Sequence, residues 1–203
     1  MTVPVVIASV PMLCRANLGI LNQKLLLMDV MRTTFGAARS REMYQQVCPI
    51  VQATIGQHIR HSMDHIELAA QVAAADAAGS REIHYDIRRR GGPDEYDMDE
   101  ARIRIQRAVD TLTDLSASSE NSLENFHEVQ ACFMLSSDPQ EFQLPSTVQR
   151  ELGFAAHHGI HHMAMVKIIA TETLRILPEA LPPDFGRAPS TVVYHKQHES
   201  SLH

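Results

Sequence analysis

The sequence predicts an all-α chain: a four-helix bundle with one short β-hairpin before the last helix. Three observations predict it. Long stretches carry apolar residues at helical spacing. The connections between them are short, as in a bundle. Strand-like alternation is confined to one region just ahead of the last stretch. At 203 residues, 44% apolar and 21% charged, the composition is that of an ordinary globular domain.

The opening "MTVPVVIASVPML" is apolar but holds two prolines and no basic n-region. It reads as a segment docked on the core, neither a secretory signal nor a membrane span. Residues 18–34 place Leu18, Leu21, Leu25, Met28 and Val30 at helical spacing, and Gly36 supplies a stop. Residues 41–75 read as one long helix, with Pro49 as a kink or a true start and Gly56 as a second weak point. "AAGS" at 77–80 is the next break. "HYDIRRRGGPDEYDMDE" is loop-like, with turn signals at Gly91, Gly92 and Pro93. Residues 97–115 form a helix with Asp97 as its cap and acids in the first turn. "NFHEVQACFML" and "EFQLP", separated by "SSDPQ", make the hairpin. The last helix runs over 146–177 with Ser146 or Thr147 as cap. The tail beyond it holds four prolines and reads as irregular. The expected organisation is therefore an N-terminal segment (1–16), the bundle (17–180) and a Pro-rich tail (181–203).

A formal net charge of -6 gives no reason to expect nucleic acid as a partner, since phosphate binding needs a basic surface. "IRRRGG" is too short to change this. No apolar run reaches membrane-spanning length, so no membrane partner is expected. Cys14, Cys48 and Cys132 are odd in number, far apart and without a CxxC. A disulfide framework and a thiolate zinc cluster are not expected, and a reducing, cytoplasmic setting is, with an organelle address left open.

The histidines carry the functional signal. "HHGIHH" holds four of the chain's twelve. His158 and His162 are four apart, so both imidazoles share one helix face. His157 and His161 form a second such pair, rotated by one residue. Their neighbours Leu152, Phe154, Ala155, Ile160, Met165, Val166 and Ile169 leave little polar face. Upstream, "TIGQHIRHSMDHIE" puts His58, His61 and His65 on one arc about 60° wide at about 100° per residue, together with Val47, Ile50, Thr54 and Leu68. Gln57, Arg60, Asp64 and Glu67 fill the opposite arc, the expected solvent face. Two helices that both turn histidines inward can build a metal site in a bundle. No HExxH is present, so this is not the zincin arrangement. Both HxxxH registers stay open on spacing alone.

"TIGQHIRHSMDH", "YDIRRRGG", "LPSTVQRELGFAAHHGIHHMAMVKIIA" and "LPPDFGRAPST" together resemble the DinB-like (DinB/YfiT-type metalloenzyme) family, over roughly residues 17–191. This family is unrelated to the DNA polymerase that shares its name. The resemblance implies a four-helix bundle in up-down-down-up order. It implies a divalent metal site of three histidines, one from the second helix and two from an HxxxH on the last. Matched residue by residue, these are His61, which follows Ile55 in an "IxxxxxH" stretch, and His158 with His162. His58, His65, His157 and His161 become candidates for positions behind the ligands or for proton transfer. Nickel, zinc and iron all accept imidazole. Members of the family include bacillithiol S-transferases and mycothiol-dependent maleylpyruvate isomerase. The resemblance thus implies a thiol-dependent S-transferase or isomerase acting on a small electrophile, with a low-molecular-weight thiol as cosubstrate. Arg60, Tyr85, Asp86, Arg88 and Arg90 are the candidates to hold the thiol or substrate. A homodimer is also implied. The alternatives are a hydrolase that activates water at the metal, or a non-catalytic metal-binding or scaffold protein.

Overall fold

Gly36 ends the first helix, α1 (Val10–Phe35), with a φ of +75° and its N–H returned to the Arg32 carbonyl. Only glycine takes up this left-handed backbone without cost. The structure is a computed structural model, and it describes residues 4–75, 81–87, 90–118 and 128–199. The expected break at 77–80 lies outside the described residues. α1 begins at Val10, inside the segment expected to precede the bundle. Pro11 sits in its first turn, where a missing N–H is tolerated.

The single helix expected over 41–75 is two. α2 (Ala37–Tyr44) and α3 (Ile55–Ala74) are separated by a non-helical stretch that contains Pro49. α3 has its own start signal. The Gln57 N–H donates to Thr54 Oγ1 at 3.1 Å, and the Thr54 N–H donates to Gln57 Oε1 at 3.0 Å. This reciprocal box satisfies two donors that a helix start leaves open. Val47 and Ile50, expected on the inner arc of that helix, lie off it and are exposed.

β1 (Glu82–His84) and the single turn α4 (Pro93–Tyr96) lead to α5 (Met98–Ser118). Asp97 caps α5, its carboxylate accepting the Asp99 N–H at 2.7 Å. β2 (Glu128–Phe133) and β3 (Phe142–Thr147) are antiparallel, which is the expected hairpin. β1 joins β2 on its other side in parallel, so the hairpin is part of a three-stranded sheet. The chain is thus mostly helical with a small sheet, which has one strand more than the expected hairpin. Parallel pairing joins strands distant in sequence, and no local pattern announces it. β3 runs directly into α6 (Val148–Ile168), and Thr147 is the cap, accepting the Arg150 N–H at 3.2 Å. A π-helical turn (Ile169–Thr173) extends α6. The tail is not wholly irregular: α7 (Pro189–Glu199) starts at its last proline.

α1 packs on α5 and α6, and α3 packs on the same two helices. Leu21, Leu27 and Met28 of α1 are buried with Ile59, Met63 and Ile66 of α3, Ile105 and Leu112 of α5, and Leu152 and Val166 of α6. Gly159 lets α6 approach α1, since a Cβ there would stand 3.1 Å from Ile20 Cγ2. The expected solvent face of α3 is instead covered. Arg60 is buried, and its Nη1 donates to Asp64 Oδ2 at 2.7 Å. Arg104 of α5 reaches Asp64 at 2.7 Å, Glu67 at 2.6 Å and Asp94 at 2.6 Å. Charges buried in pairs look like solvated charges in a sequence. Among the described residues, no helix is long and apolar enough to cross a membrane.

Candidate metal centre

α3 and α6 pack against each other, and each turns histidines toward the other. His158 and His162 are one turn apart on α6, so their side chains share a face. His158 Nε2 lies 3.2 Å from His61 Nε2 of α3 and 3.0 Å from His162 Nε2. One donor nitrogen from each of the three lies within 4.8 Å of the other two. A tetrahedral zinc with Zn–N of about 2.0–2.1 Å sets its donors about 3.3 Å apart. The spacing of the imidazoles therefore fits such an ion with small side-chain adjustments.

The charge state fits as well. Burial first, then the imidazoles of His158, His61, His58 and His161, push the His162 pKa from 6.5 down to about 2. Burial, then His161, also lowers His58. Both rings stay neutral, the form in which imidazole is a ligand. His58 Nδ1 is 2.8 Å from His162 Nδ1. With the proton on His162 Nδ1 and the accepting lone pair on His58, His162 Nε2 presents its own lone pair to the cluster. Hydrogen bonding at the far nitrogen is how proteins fix the tautomer of a ligating histidine.

His65 lies behind the cluster. Its ring stacks on His158 with centroids 3.9 Å apart, and on Tyr85 at 4.6 Å. Tyr85 in turn stacks on Phe133 of β2 at 5.0 Å. Phe154 closes the side of this column, 5.5 Å from Tyr85 and 5.7 Å from His158. The sheet thereby supports the ring of one candidate ligand. His157 and His161 are exposed and lie outside the three-nitrogen group, so the structure brings together the His158/His162 register.

The residues expected to hold a thiol or substrate fall elsewhere. Tyr85 is buried, and its Oη donates to Glu151 Oε2 at 2.7 Å. Burial, then Glu151, raises the Tyr85 pKa, so the phenol stays protonated. Glu151 also accepts from Arg150 Nη1 at 2.7 Å and from Ser146 Oγ. Asp86 accepts the Met134 N–H at 2.8 Å and ties the loop after β1 to β2. Arg60 is engaged by Asp64, and its Nε lies 2.8 Å from Glu95 Oε2. Arg90 is exposed, and Arg88 lies outside the described residues. Two supports were missed in the sequence. Glu151 reads there as an ordinary acid in a helix's first turn, and Phe154 as one more core residue.

Comparison with known proteins adds one partial likeness. Over 115 residues, 57% of this chain, the sequence is 34% identical to FK506-binding protein 5 of Rhizopus delemar. The matched stretch spans 28% of that protein's length. No family model matches the chain, and no solved structure matches it.

Proposed function

We propose that the chain is a DinB-like metal-dependent protein, a four-helix bundle in up-down-down-up order. In this reading His61, His158 and His162 hold one nickel, zinc or iron ion. The observation that carries it is the convergence of three imidazole nitrogens from two packed helices, at separations of 3.0 and 3.2 Å along the two short edges. Three protein ligands leave a coordination position open, as catalytic rather than structural sites do. A divalent ion there would supply Lewis acidity, lowering the pKa of a small molecule that occupies the open position.

The chain's own groups then divide the work. His61, His158 and His162 offer lone pairs. His58 accepts the Nδ1 proton of His162 and holds that ring's tautomer. His65, Tyr85 and Phe154 fix the His158 ring and keep water from its back. The reaction proposed is thiol-dependent S-transfer or isomerisation of a small electrophile, with a low-molecular-weight thiol as cosubstrate and a homodimer as the assembly. A second reading, a hydrolase, is favoured by one observation: Arg60, Tyr85 and Asp86 are already engaged within the protein. The name of the Rhizopus relative is carried over to neither reading, because the shared stretch is 28% of that protein.

The test begins with the metal content of untagged protein, by inductively coupled plasma mass spectrometry, beside His61→Ala and His162→Ala. About one ion per chain in the parent, lost in both variants, is expected. Protein that is empty and also takes up no added metal would sink the reading and leave a scaffold. Turnover that saturates with thiol supports the transferase; turnover without thiol supports the hydrolase.

A further inference from the structure

The outward face of the sheet carries a second cluster. Ile83 of β1 is buried while Glu82 and His84 on either side of it are exposed, as strand alternation requires. His84 pairs in register with Cys132 of β2, which pairs with Gln143 of β3. Neighbours in register share a face, so Cys132 lies beside His84, yet it is only 5% exposed. Glu141, just ahead of β3, reaches in from the hairpin, its Oε2 2.6 Å from His84 Nδ1. One donor atom from each of His84, Cys132 and Glu141 lies within 4.8 Å of the other two.

A separate observation points to a missing partner. Glu141 Oε1 is buried and has no hydrogen-bond donor among the described residues. A buried carboxylate oxygen left this way carries an uncompensated desolvation cost. Glu82 shares the face: its Oε2 is 3.8 Å from His84 Nε2, and its Oε1 accepts from Gln143 Nε2 at 3.1 Å.

We propose that His84, Cys132 and Glu141 form a second metal site, which takes a borderline-soft divalent ion such as zinc. One sulfur, one imidazole nitrogen and one carboxylate suit such an ion, and do not suit magnesium and calcium, which take oxygen ligands. Binding releases the Cys132 thiol proton to solvent and leaves Sγ as the thiolate ligand. The ion answers Glu141 Oε1 with a cation. It also clips β1, a strand of three residues, to the hairpin. Nothing in this assignment uses His61, His158 or His162.

The test is cobalt(II) titration of the full untagged chain, read by absorbance. A near-ultraviolet thiolate-to-cobalt charge-transfer band is expected, displaced by added zinc. It should persist in the His61→Ala/His162→Ala double variant, since the three-histidine group has no sulfur. It should vanish in Cys132→Ser, and Glu141→Gln should weaken cobalt binding about tenfold or more. Should Cys132→Ser fail to fold, Glu141→Gln and His84→Gln carry the test through zinc stoichiometry against a chelator. No band in folded parent protein, or a band that survives in Cys132→Ser, overturns the assignment. Metal lost only in the double variant would uphold the three-histidine centre and refute this one.

Discussion

His58 touches His162 through the nitrogen that faces away from the other two imidazoles. His58→Ala removes no candidate ligand but frees the His162 tautomer, and metal affinity should fall about 10–100-fold. Chelator competition measures this, and an unchanged affinity would mean that His58 is only packed there. Lys24 makes a different point. It is fully buried, its Nζ has no hydrogen-bond partner among the described residues, and its pKa falls from 10.5 to about 7. Burial is the main cause and Arg104 the next, with Glu67 and Asp64 opposing. Between these two values the unfolded chain holds a proton that the folded chain has lost. Stability therefore rises with pH across that window, and below about pH 7 the folded state bears the full cost of a buried charge. Lys24→Met should be more stable than the parent at pH 6, with the gap closing toward pH 10 in urea unfolding series. The histidine pattern was legible because i, i+4 spacing fixes a shared face whatever surrounds the helix. Its register was not, because a rotation of about 100° is decided by neighbours such as Ile20 against Gly159.

At the scale of elements, glycine marks two close approaches of unequal stiffness. A Cβ on Gly56 would collide with the Glu95 carbonyl oxygen and stand 2.8 Å from Tyr44 Cε1. Backbone cannot step aside, so Gly56→Ala should cost about 1–3 kcal/mol. Gly159→Ala meets only the Ile20 side chain, and better helix propensity offsets the crowding. It should stay within about 1 kcal/mol of the parent. Chemical denaturation of both variants separates the cases, and equal losses would contradict the stated geometry. Starts and stops with local chemistry were readable in advance: Gly36, Asp97 and Thr147 all act where expected. The gap between α2 and α3 was foreshadowed by Pro49 and, one residue into α3, by Gly56, while the Thr54–Gln57 box resembles any polar helix surface. β1 and α7 were missed for opposite reasons. β1 depends on a partner strand far along the chain, and α7 has no apolar stripe to reveal it.

Across the whole molecule, Arg104 joins three elements, reaching Asp64 and Glu67 on α3 and Asp94 on α4 from its place on α5. Arg104→Met would leave Glu67 and Asp94 without this cation and Asp64 with Arg60 alone. A loss of about 2 kcal/mol is expected, modest for a broken buried network because Arg104 keeps 23% exposure. The loss should appear in urea unfolding and change little with added salt; a loss abolished by salt would place the network at the surface. The column from Phe133 through Tyr85 and His65 to His158 has a use of its own. The chain has no tryptophan and four tyrosines, and Tyr85 is immobilised two rings away from His158. Should the proposed three-histidine centre take up an ion, the near-ultraviolet circular dichroism to which Tyr85 contributes should change with it. Loading with a paramagnetic ion should also quench the Tyr85 emission, so occupancy can be followed without any attached label.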